Sequence, residues 1–506
     1  MSPLRVIRIM VLLQAAVAAA SLIVEIVAGR MLAPYVGMSV HTWTAVIAVV
    51  LAGFSAGHWI GGRIAGRAAG DALRITGWSM IAAAATTALA TGALRMASGP
   101  VLSSVPDPVL VIVILTGAAF FLPSFFAGIP APVLAEVGAR LVPERSGQTL
   151  GAMFAASAFG AILGTLAAGF VLISYLGSTL SMLAVTLAYL VIAAVLLVLA
   201  RAEGAGGFRG AGIASLAVLA IIGADALLLS SPCTRESRYF CIRVVDVSAA
   251  PDRPANLMVL DHLVHGISAR DVPHVMFTDH AAMLDHLGRA HLQDRPDATA
   301  FFIGGGTFSI PRAWQGLDPV PRMEVAEIDP AVTEVAERDF WFRAGPQTTV
   351  LNADARVSLA ASAARYDVII GDAFTDIAVP VHLITQEFFA EVRQSLTDDG
   401  VFLMNVIDHI GNMKAAASIL KTLKTVFPVV EVWTEARPYE DGDRIVMILR
   451  AGNSPSEVGA FITPSPDPTQ FGRLSATWQD RVLGGSDVVL LTDDFAPIER
   501  LMRRTH

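Results

Sequence analysis

Charge is scarce in this 506-residue sequence. Only 16% of the residues are Asp, Glu, Lys or Arg, and the mean hydropathy is +0.59. Soluble proteins carry about 25% charged residues, so this composition excludes a chain that is soluble along its whole length. Residues 1–231 contain no lysine and only seven acidic residues, whereas residues 232–506 contain 25 basic and 37 acidic residues. This division predicts a membrane region followed by a soluble part with a net charge of −12.

The soluble part also lacks an excess of basic residues. Proteins that bind nucleic acid need a basic surface to meet the phosphates. We therefore expect no nucleic-acid partner, and the surplus of carboxylates favours a cationic ligand.

Cysteine is almost absent. Cys233 and Cys241 are the only two, and they lie directly after the apolar part. A disulfide between them would fit an oxidising compartment such as the periplasm. Two unpaired thiols are the alternative.

Long apolar runs are abundant in the first part. Seven runs of about 20 residues are each long enough to cross the ~30 Å apolar core of a lipid bilayer. They lie at 9–28, 40–60, 75–94, 108–134, 148–174, 179–200 and 212–231. The first run has no small-residue cleavage site of the kind that ends a signal peptide. Within the second run, Gly53, Gly57 and Gly61 recur every four residues, a spacing that lets helices pack closely.

Arginine placement predicts the orientation of these runs, because positively charged loops stay in the cytoplasm. With seven crossings, only Arg30 and Arg95 fall on the side opposite the N-terminus. The arginines on the N-terminal side are Arg5, Arg8, Arg63, Arg67, Arg74, Arg140, Arg145, Arg201 and Arg209. We expect a multi-pass protein of the cell (inner) membrane with a periplasmic soluble part. An even number of crossings would place that part in the cytoplasm.

The soluble part alternates strands with helices from residue 298 onward. Short β segments between residues 241 and 266 come first and would form a small separate sheet. The later strands are continuous apolar runs, which are typical of a parallel sheet covered on both faces. They are predicted at 298–303, 322–328, 348–353, 366–370, 400–407, 429–434 and 444–451. The last two strands flank "EARPYEDGDR" and are expected to form a hairpin.

Glycines and carboxylates follow the first four of these strands. The glycine triplet 304–306 follows the first strand, and Glu327, Asp354 and Asp372 follow the next three, with Asp376 shortly after. Ligands bind such sheets at the carboxyl ends of the strands, where glycines let the backbone approach a ligand and an acid reaches ribose hydroxyls. The set predicts a nucleoside pocket with additional negative charge beside it.

These motifs resemble the spermidine synthase (polyamine aminopropyltransferase) family, in particular its membrane-fused branch. The resemblance lies in "ESRYFCIRVV", "LMVLDHLVHG", "FFIGGG", "VAEIDPAV", "NADARVSL" and "YDVIIGDAFTDIAVPVHLITQEFF". The segments "EIVAGRMLAPYVG", "GGRIAGR" and "LLTDDFAPIERL" are similar to the fused branch. The resemblance implies an α-helical membrane bundle at 1–231, a small β-domain with a connecting helix at 232–290, and an α/β domain at 291–506. The α/β domain would have a Rossmann-like parallel sheet of the methyltransferase type.

The family transfers an aminopropyl group from decarboxylated S-adenosylmethionine to an amine such as putrescine, and methylthioadenosine leaves. The resemblance makes Asp372 the general base that takes a proton from the attacking amine. It assigns donor binding to Gly304, Gly305, Gly306, Glu327, Asp354, Ala355 and Pro380. It assigns amine binding to Asp376, Asp279 and Tyr439. It also implies a nucleoside co-substrate without a tightly bound cofactor, and pairing of two copies of the chain.

Several positions depart from the family's pattern. Thr307 stands where the family has an aspartate that binds the amino group of the donor. The two acids after the fourth strand are spaced i,i+4 instead of i,i+3, and Phe277, Thr278 and Asp279 replace the usual tyrosine, polar residue and glutamate. S-adenosylmethionine as donor, or a different acceptor, is therefore an alternative. A transporter or sensor whose soluble part only binds a nucleoside or a polyamine is another.

The eleven histidines show no spacing that is typical of a metal site. His262, His265, His274 and His280 lie close together in the sequence on loop-like segments. The sequence favours solvated or core roles for these four side chains.

Overall fold

The chain divides into two compact units, Met1–Cys241 and Ile242–His506. The computed structural model describes residues 2–206, 210–228, 231–374, 379–463, 467–485 and 487–502. Each unit has its own apolar core, which is formed by helices in the first unit and by a sheet with its covering helices in the second.

The first unit is helical. Its helices within the described residues are α1 (Pro3–Val36), α2 (Val40–Ala65), α3 (Ala69–Ser104), α4 (Pro108–Gly128), α5 (Pro130–Leu141), α6 (Ser146–Ala167), α7 (Ile173–Ala202) and α8 (Ala211–Leu228). A two-residue strand, β1 (Arg235–Glu236), lies inside the loop that the Cys233–Cys241 disulfide closes.

Five helical stretches of this unit are long and apolar enough to cross a membrane. They are Pro3–Val36, Val40–Ala65, Ala69–Ser104, Pro108–Leu141 and Pro143–Ala202. The last stretch has 60 residues and contains two of the predicted runs. These runs meet at Gly177, whose φ of 74° and ψ of 178° break the helix. The apolar helix Ala211–Ala224 coincides with the seventh run. The helical character is confirmed, and the count of seven crossings stays a prediction.

The glycines of α2 pack directly against backbone atoms of the neighbouring helices. A Cβ atom at Gly57 would lie 2.2 Å from the Phe125 carbonyl oxygen, and one at Gly61 would lie 2.5 Å from the Ile129 carbonyl oxygen. Gly160 makes the same kind of approach, since its Cβ would lie 2.1 Å from the Ala15 carbonyl oxygen. No side chain larger than hydrogen fits at these crossings.

The second unit begins with a small antiparallel sheet. Its strands are β2 (Cys241–Asp246), β3 (Ala255–Leu260) and β4 (Leu263–Ala269). Neighbouring strands pair with Ile242 opposite Leu260 and with Leu257 opposite Ile267. This sheet corresponds to the predicted short β segments.

A nine-stranded sheet forms the main part of the second unit, with strand order β12-β13-β10-β11-β9-β8-β5-β6-β7. Its strands are β5 (Thr299–Ile303), β6 (Arg322–Ala326), β7 (Thr348–Leu351), β8 (Tyr366–Gly371), β9 (Leu396–His409), β10 (Val429–Glu435), β11 (Arg444–Gly452), β12 (Ala460–Thr463) and β13 (Thr469–Arg473). The helices are α9 (Asp279–Leu292), α10 (Ser309–Trp314), α11 (Pro330–Asp339), α12 (Ala355–Ala361), α13 (Gln386–Ser395), α14 (Lys414–Val426), α15 (Ala476–Leu483) and α16 (Ile498–Leu501).

This sheet is mixed: the predicted parallel arrangement holds for five strands, and the remaining strands pair in the antiparallel direction. Strands β5 to β9 run parallel, whereas β11 runs antiparallel to β9, and β10 runs antiparallel to both β11 and β13. The reason is the short connection between β10 and β11, because a parallel pair needs a crossover of a dozen or more residues. The predicted hairpin is confirmed, and all seven predicted strands are present.

Helices cover both faces of the parallel strands. Along β5, Phe301 and Ile303 face a core that includes side chains of α12, α13 and α14. Ala300 and Phe302 face the opposite core, which includes side chains of α9, α10 and α11. Since successive side chains of a strand point to opposite faces, this burial explains why the strands are apolar without interruption.

Candidate active site

The site lies where the parallel strands end. β5 is paired with β6 on one side and with β8 on the other. The carboxyl ends of these strands therefore meet at one edge of the sheet. After β5 the chain continues to β6, and after β8 it continues to β9, which lies on the opposite side of this pair of strands. Open α/β sheets bind ligands at such a point.

The glycine triplet makes a tight turn against the end of β8. Gly304 has a φ of 93°, and a Cβ atom there would lie 2.6 Å from the Asp372 carbonyl oxygen. A Cβ atom at Gly305 would lie 2.4 Å from the ring of Phe308, and Gly306 has a φ of 52°. Glycine tolerates these backbone conformations and close approaches. The turn thus fixes the position of Asp372 relative to the loop.

Glu327 holds the glycine loop. One carboxylate oxygen accepts hydrogen bonds from the N–H groups of Gly305 (2.8 Å) and Gly306 (3.3 Å), and the other accepts one from Asp329 (3.0 Å). Burial raises the pKa of Glu327, while these three backbone donors lower it. The structure therefore brings Glu327 into contact with the glycine loop, although the two lie 21 to 23 residues apart in the sequence. Contact of Glu327 with a ribose stays a prediction.

Asp354 caps the helix that follows β7. Its side chain accepts a hydrogen bond from the Val357 N–H at 3.0 Å and lies 2.8 Å from Nε2 of His382. Burial raises the pKa of Asp354, but the helix N–H groups and His382 outweigh it, so the pKa is below its usual value. Ala355 is buried in the first turn of α12, and Pro380 precedes the short turn that carries His382.

Asp372 follows β8 and has two different oxygen environments. One oxygen accepts a hydrogen bond from Nδ2 of Asn405 on β9 at 2.8 Å. The other lies 3.8 Å from Nε2 of His280, and the side chain is 26% exposed. One oxygen is thus held in place, and the other is available to a second group such as a substrate amine.

Two imidazoles interact with Asp372, which the sequence did not predict. His280 is the second residue of α9, and His265 lies on β4. Burial lowers the pKa of His265, the negative charge of Asp372 raises it, and positive charge on His280 or His262 would lower it further. The available signal was that His265 lies inside "LMVLDHLVHG", one of the motifs that resemble the family, and that His280 directly follows the departing residues 277–279.

The assignment of Asp279 and Tyr439 to one amine site stays a prediction. Burial raises the pKa of Tyr439, and the negative charge of Asp279 adds to the rise. The Tyr439 hydroxyl lies 2.9 Å from Oγ1 of Thr434 and 3.4 Å from the Glu435 carbonyl oxygen. Asp376 lies outside the described residues, so its assignment stays a prediction.

Thr307 faces the small sheet. It is 4% exposed, and its hydroxyl lies 2.6 Å from that of Ser309, which in turn lies 2.8 Å from that of Ser268 on β4. A Cβ atom at Gly266 would lie 2.6 Å from Oγ1 of Thr307. Position 307 is therefore occupied by a small, neutral and enclosed side chain.

Comparison with known proteins identifies the family. Residues 280–454 match the family described as "Spermine/spermidine synthase domain". A polyamine aminopropyltransferase of Vibrio vulnificus is 30% identical over 214 residues, which cover 39% of this chain and 67% of that protein. An N-terminal histidine N-methyltransferase of Emericella nidulans is 33% identical over 186 residues, but these cover only 35% of this chain and 32% of that protein.

One solved structure aligns with about half of the chain. A probable spermidine synthase from Corynebacterium glutamicum aligns with a TM-score of 0.45 and 20% identity, over 51% of this chain and 95% of that one. The identity and coverage of the Vibrio vulnificus enzyme carry the assignment. The chain therefore belongs to the spermidine synthase family of polyamine aminopropyltransferases, and it contains a transferase domain of that type.

Proposed function

We propose that the second unit transfers an aminopropyl group from decarboxylated S-adenosylmethionine to an amine such as putrescine and releases methylthioadenosine. The observation that carries the proposal is the position of Asp372. Its carboxylate follows the central strand β8, its backbone touches the glycine loop, and Asn405 orients one of its oxygens.

The chemistry requires a base beside a cation. An ammonium group has no lone pair, so it must lose a proton before its nitrogen can attack. In this proposal the free oxygen of Asp372 accepts that proton. The nitrogen then bonds to the propyl carbon, the bond from that carbon to sulfur breaks, and the electron pair stays on sulfur, which becomes neutral. Holding the two reactants in line supplies much of the rate.

The donor would lie along the ends of β5, β6 and β7. Glu327 would hold the ribose while it supports the glycine loop, and Asp354 with Ala355 would contact the adenine, with Pro380 on the adenine side. Asp279, Tyr439 and Asp376 would hold the far end of the amine. A sulfonium and an ammonium are both cations, so carboxylates on both sides of the reacting atoms stabilise the pair.

A second candidate is group transfer from S-adenosylmethionine itself. The observation that favours it is Thr307, because a neutral enclosed side chain in place of the aspartate does not repel the carboxylate of that donor. The similarity to an enzyme named for histidine N-methylation agrees with this alternative. Incubation of the full-length protein with each donor and several amines separates the two. Methylthioadenosine from the decarboxylated donor supports the first candidate, and S-adenosylhomocysteine from S-adenosylmethionine supports the second.

We propose that the first unit crosses a lipid bilayer. Its outer surface carries large apolar side chains that water would not favour, including Phe154 (74% exposed), Phe159 (67%) and Phe170 (73%) along α6 and the turn after it. Contiguous exposed apolar surface of this kind is typical of a membrane or a protein partner. The length and hydropathy of the helices favour the membrane.

Contacts at the helix ends support an odd number of crossings. At one end of the bundle, Arg140 donates to the Arg67 carbonyl oxygen at 3.1 Å, and Arg74 donates to the Gly206 carbonyl oxygen at 2.8 Å. These residues belong to the arginine-rich loops, so this end would face the cytoplasm.

The segment that leads out of the first unit contacts other helix ends. Arg30, near the end of α1, donates to the carbonyl oxygens of Tyr239 and Ser237. Glu236 accepts a hydrogen bond from the Ser178 N–H at 2.9 Å, beside the break at Gly177. Because α1 starts on the cytoplasmic side in this proposal, its far end and the segment 233–241 lie on the opposite side. The polypeptide would then leave the first unit outside the cytoplasm, where the Cys233–Cys241 disulfide is stable.

A further inference from the structure

His280 has no role in the transfer reaction proposed above, yet it lies beside the base of that reaction. We infer that His280 is a positioning residue that takes over the proton collected by Asp372 and so restores the carboxylate. This role rests on the proposed aminopropyl transfer.

The geometry arranges three side chains in a row. Nδ2 of Asn405 donates to one oxygen of Asp372 at 2.8 Å, and the other oxygen faces Nε2 of His280 at 3.8 Å. The hydroxyl of Thr278 lies 3.3 Å from the same imidazole nitrogen. Asn405 is 2% exposed, so the carboxylate cannot turn without breaking a buried hydrogen bond. The imidazole side chain is 16% exposed, which gives it a route to solvent.

The proton balance explains why a second acceptor is useful. After the amine has attacked, Asp372 carries the proton as a neutral acid. Transfer of that proton to Nε2 yields an imidazolium and a carboxylate, which attract each other across the short gap between them. The imidazolium then releases the proton to solvent. A distance of 3.8 Å must shorten by about 1 Å for direct transfer, as is common when a substrate closes a site.

Charged groups from several elements surround His280. Asp372 faces it from the end of β8, His265 on β4 interacts with it electrostatically, and Asp279 precedes it on α9. Histidine changes its charge between about pH 5 and pH 8. A relay through His280 therefore predicts that turnover falls as the pH is lowered through this range, because a protonated imidazole accepts no further proton.

The first test measures the coupling without turnover. Full-length protein labelled with [13C]histidine is examined by NMR, and the His280 signal is identified by its absence from His280→Gln. We expect this signal to shift in Asp372→Asn, because the carboxylate beside the imidazole becomes a neutral amide. A signal that does not move overturns the inference.

The second test measures turnover against pH. His280→Gln should lower kcat by roughly 10- to 100-fold and flatten the acidic limb of the pH profile of kcat, because the proton passes to His280 only after the amine has attacked. His286→Gln is the matched control on the same helix, because its ring stacks on Phe461 with centroids 3.8 Å apart. It should retain the wild-type profile. An unchanged profile in His280→Gln overturns the relay alone, whereas absence of transfer by the wild-type protein overturns the proposed function with it.

Discussion

Asp372 is the residue on which the chemistry depends. Asp372→Asn keeps the shape of the side chain and its contact with Asn405 but removes the proton acceptor. We expect kcat to fall by about 10²- to 10⁴-fold, while the affinity for methylthioadenosine stays within a factor of about three. Steady-state kinetics and calorimetric binding of methylthioadenosine measure the two quantities.

The matched control is Asp398→Asn, an exposed acid on the adjacent strand β9. It changes the net charge of the protein by the same amount and should leave turnover unchanged. Wild-type turnover in Asp372→Asn would remove Asp372 as the base.

At the scale of single residues, the sequence was sufficient to predict the site residues that directly follow strands. The glycine triplet, Glu327 and Asp372 could be found because parallel strands present their carboxyl ends together, so position along the chain was enough. Asn405 and His280 could not be found in this way. Asn405 lies within a strand, and His280 lies 92 residues before Asp372, so only the packing of β9 and α9 brings them to the carboxylate.

Helix packing in the first unit depends on single glycines. Gly57→Ala should lower the melting temperature in detergent, because the new Cβ would lie 2.2 Å from a backbone oxygen of α4 and the two helices would have to separate. Overpacking of this kind costs roughly 1–3 kcal/mol of unfolding free energy.

Gly62→Ala is the control for this change on the same helix. A Cβ atom at Gly62 meets nothing within 4 Å, so the melting temperature should not fall. Equal melting temperatures for the two variants would contradict the packing described for α2 and α4.

The end of β9 and the start of α14 are joined by a buried acid. Asp408 is fully buried and accepts hydrogen bonds from the N–H groups of Ala416 (2.9 Å) and His409 (2.8 Å). Burial raises the pKa of Asp408 to about 6, although backbone N–H groups of Ala416, His409 and Ala415 lower it. The folded protein thus binds a proton that the unfolded chain releases between about pH 4 and pH 6.

The raised pKa of Asp408 determines the direction in which the stability of the protein changes with pH. Because the folded state binds the extra proton, the contribution of Asp408 to unfolding free energy increases as the pH falls from about 6 to about 4, by about 2 kcal/mol. Asp408→Asn should lose this gain, so its melting temperature relative to wild type should decrease on acidification. Thermal melts at several pH values measure the difference. A constant difference would show that Asp408 titrates normally.

At the scale of elements, the sequence predicted strands correctly where a continuous apolar run marks them. Strands β5 to β11 are continuous apolar runs, and each lies within a few residues of its predicted position. The direction of β11 relative to β9 could not be predicted from apolar pattern alone, since burial on both faces is common to parallel and antiparallel central strands. The break at Gly177 likewise depends on a backbone conformation that only glycine adopts readily.

At the scale of the whole molecule, the proposed orientation of the first unit determines on which side of the membrane the second unit would lie. We expect a reporter enzyme that is active only outside the cytoplasm to be active when fused after His506 and inactive when fused after Ala205. Ala205 lies next to Gly206, which contacts the arginine-rich end of the bundle. Activity after Ala205, or inactivity after His506 in an intact fusion, would contradict the proposed orientation.

This orientation has a chemical consequence. A donor that is present only in the cytoplasm would have to cross the membrane to reach a second unit that works outside. The identity of the donor therefore bears on the proposed orientation, and the neutral side chain of Thr307 bears on the same question.

Product analysis with the purified full-length protein tests the central claim most directly. The protein is incubated with decarboxylated S-adenosylmethionine and putrescine, and nucleoside and amine products are followed by mass spectrometry, with Asp372→Asn as the blank. We expect equal amounts of methylthioadenosine and of an amine enlarged by one aminopropyl group. Absence of both products, with S-adenosylhomocysteine formed from S-adenosylmethionine in parallel, would contradict it.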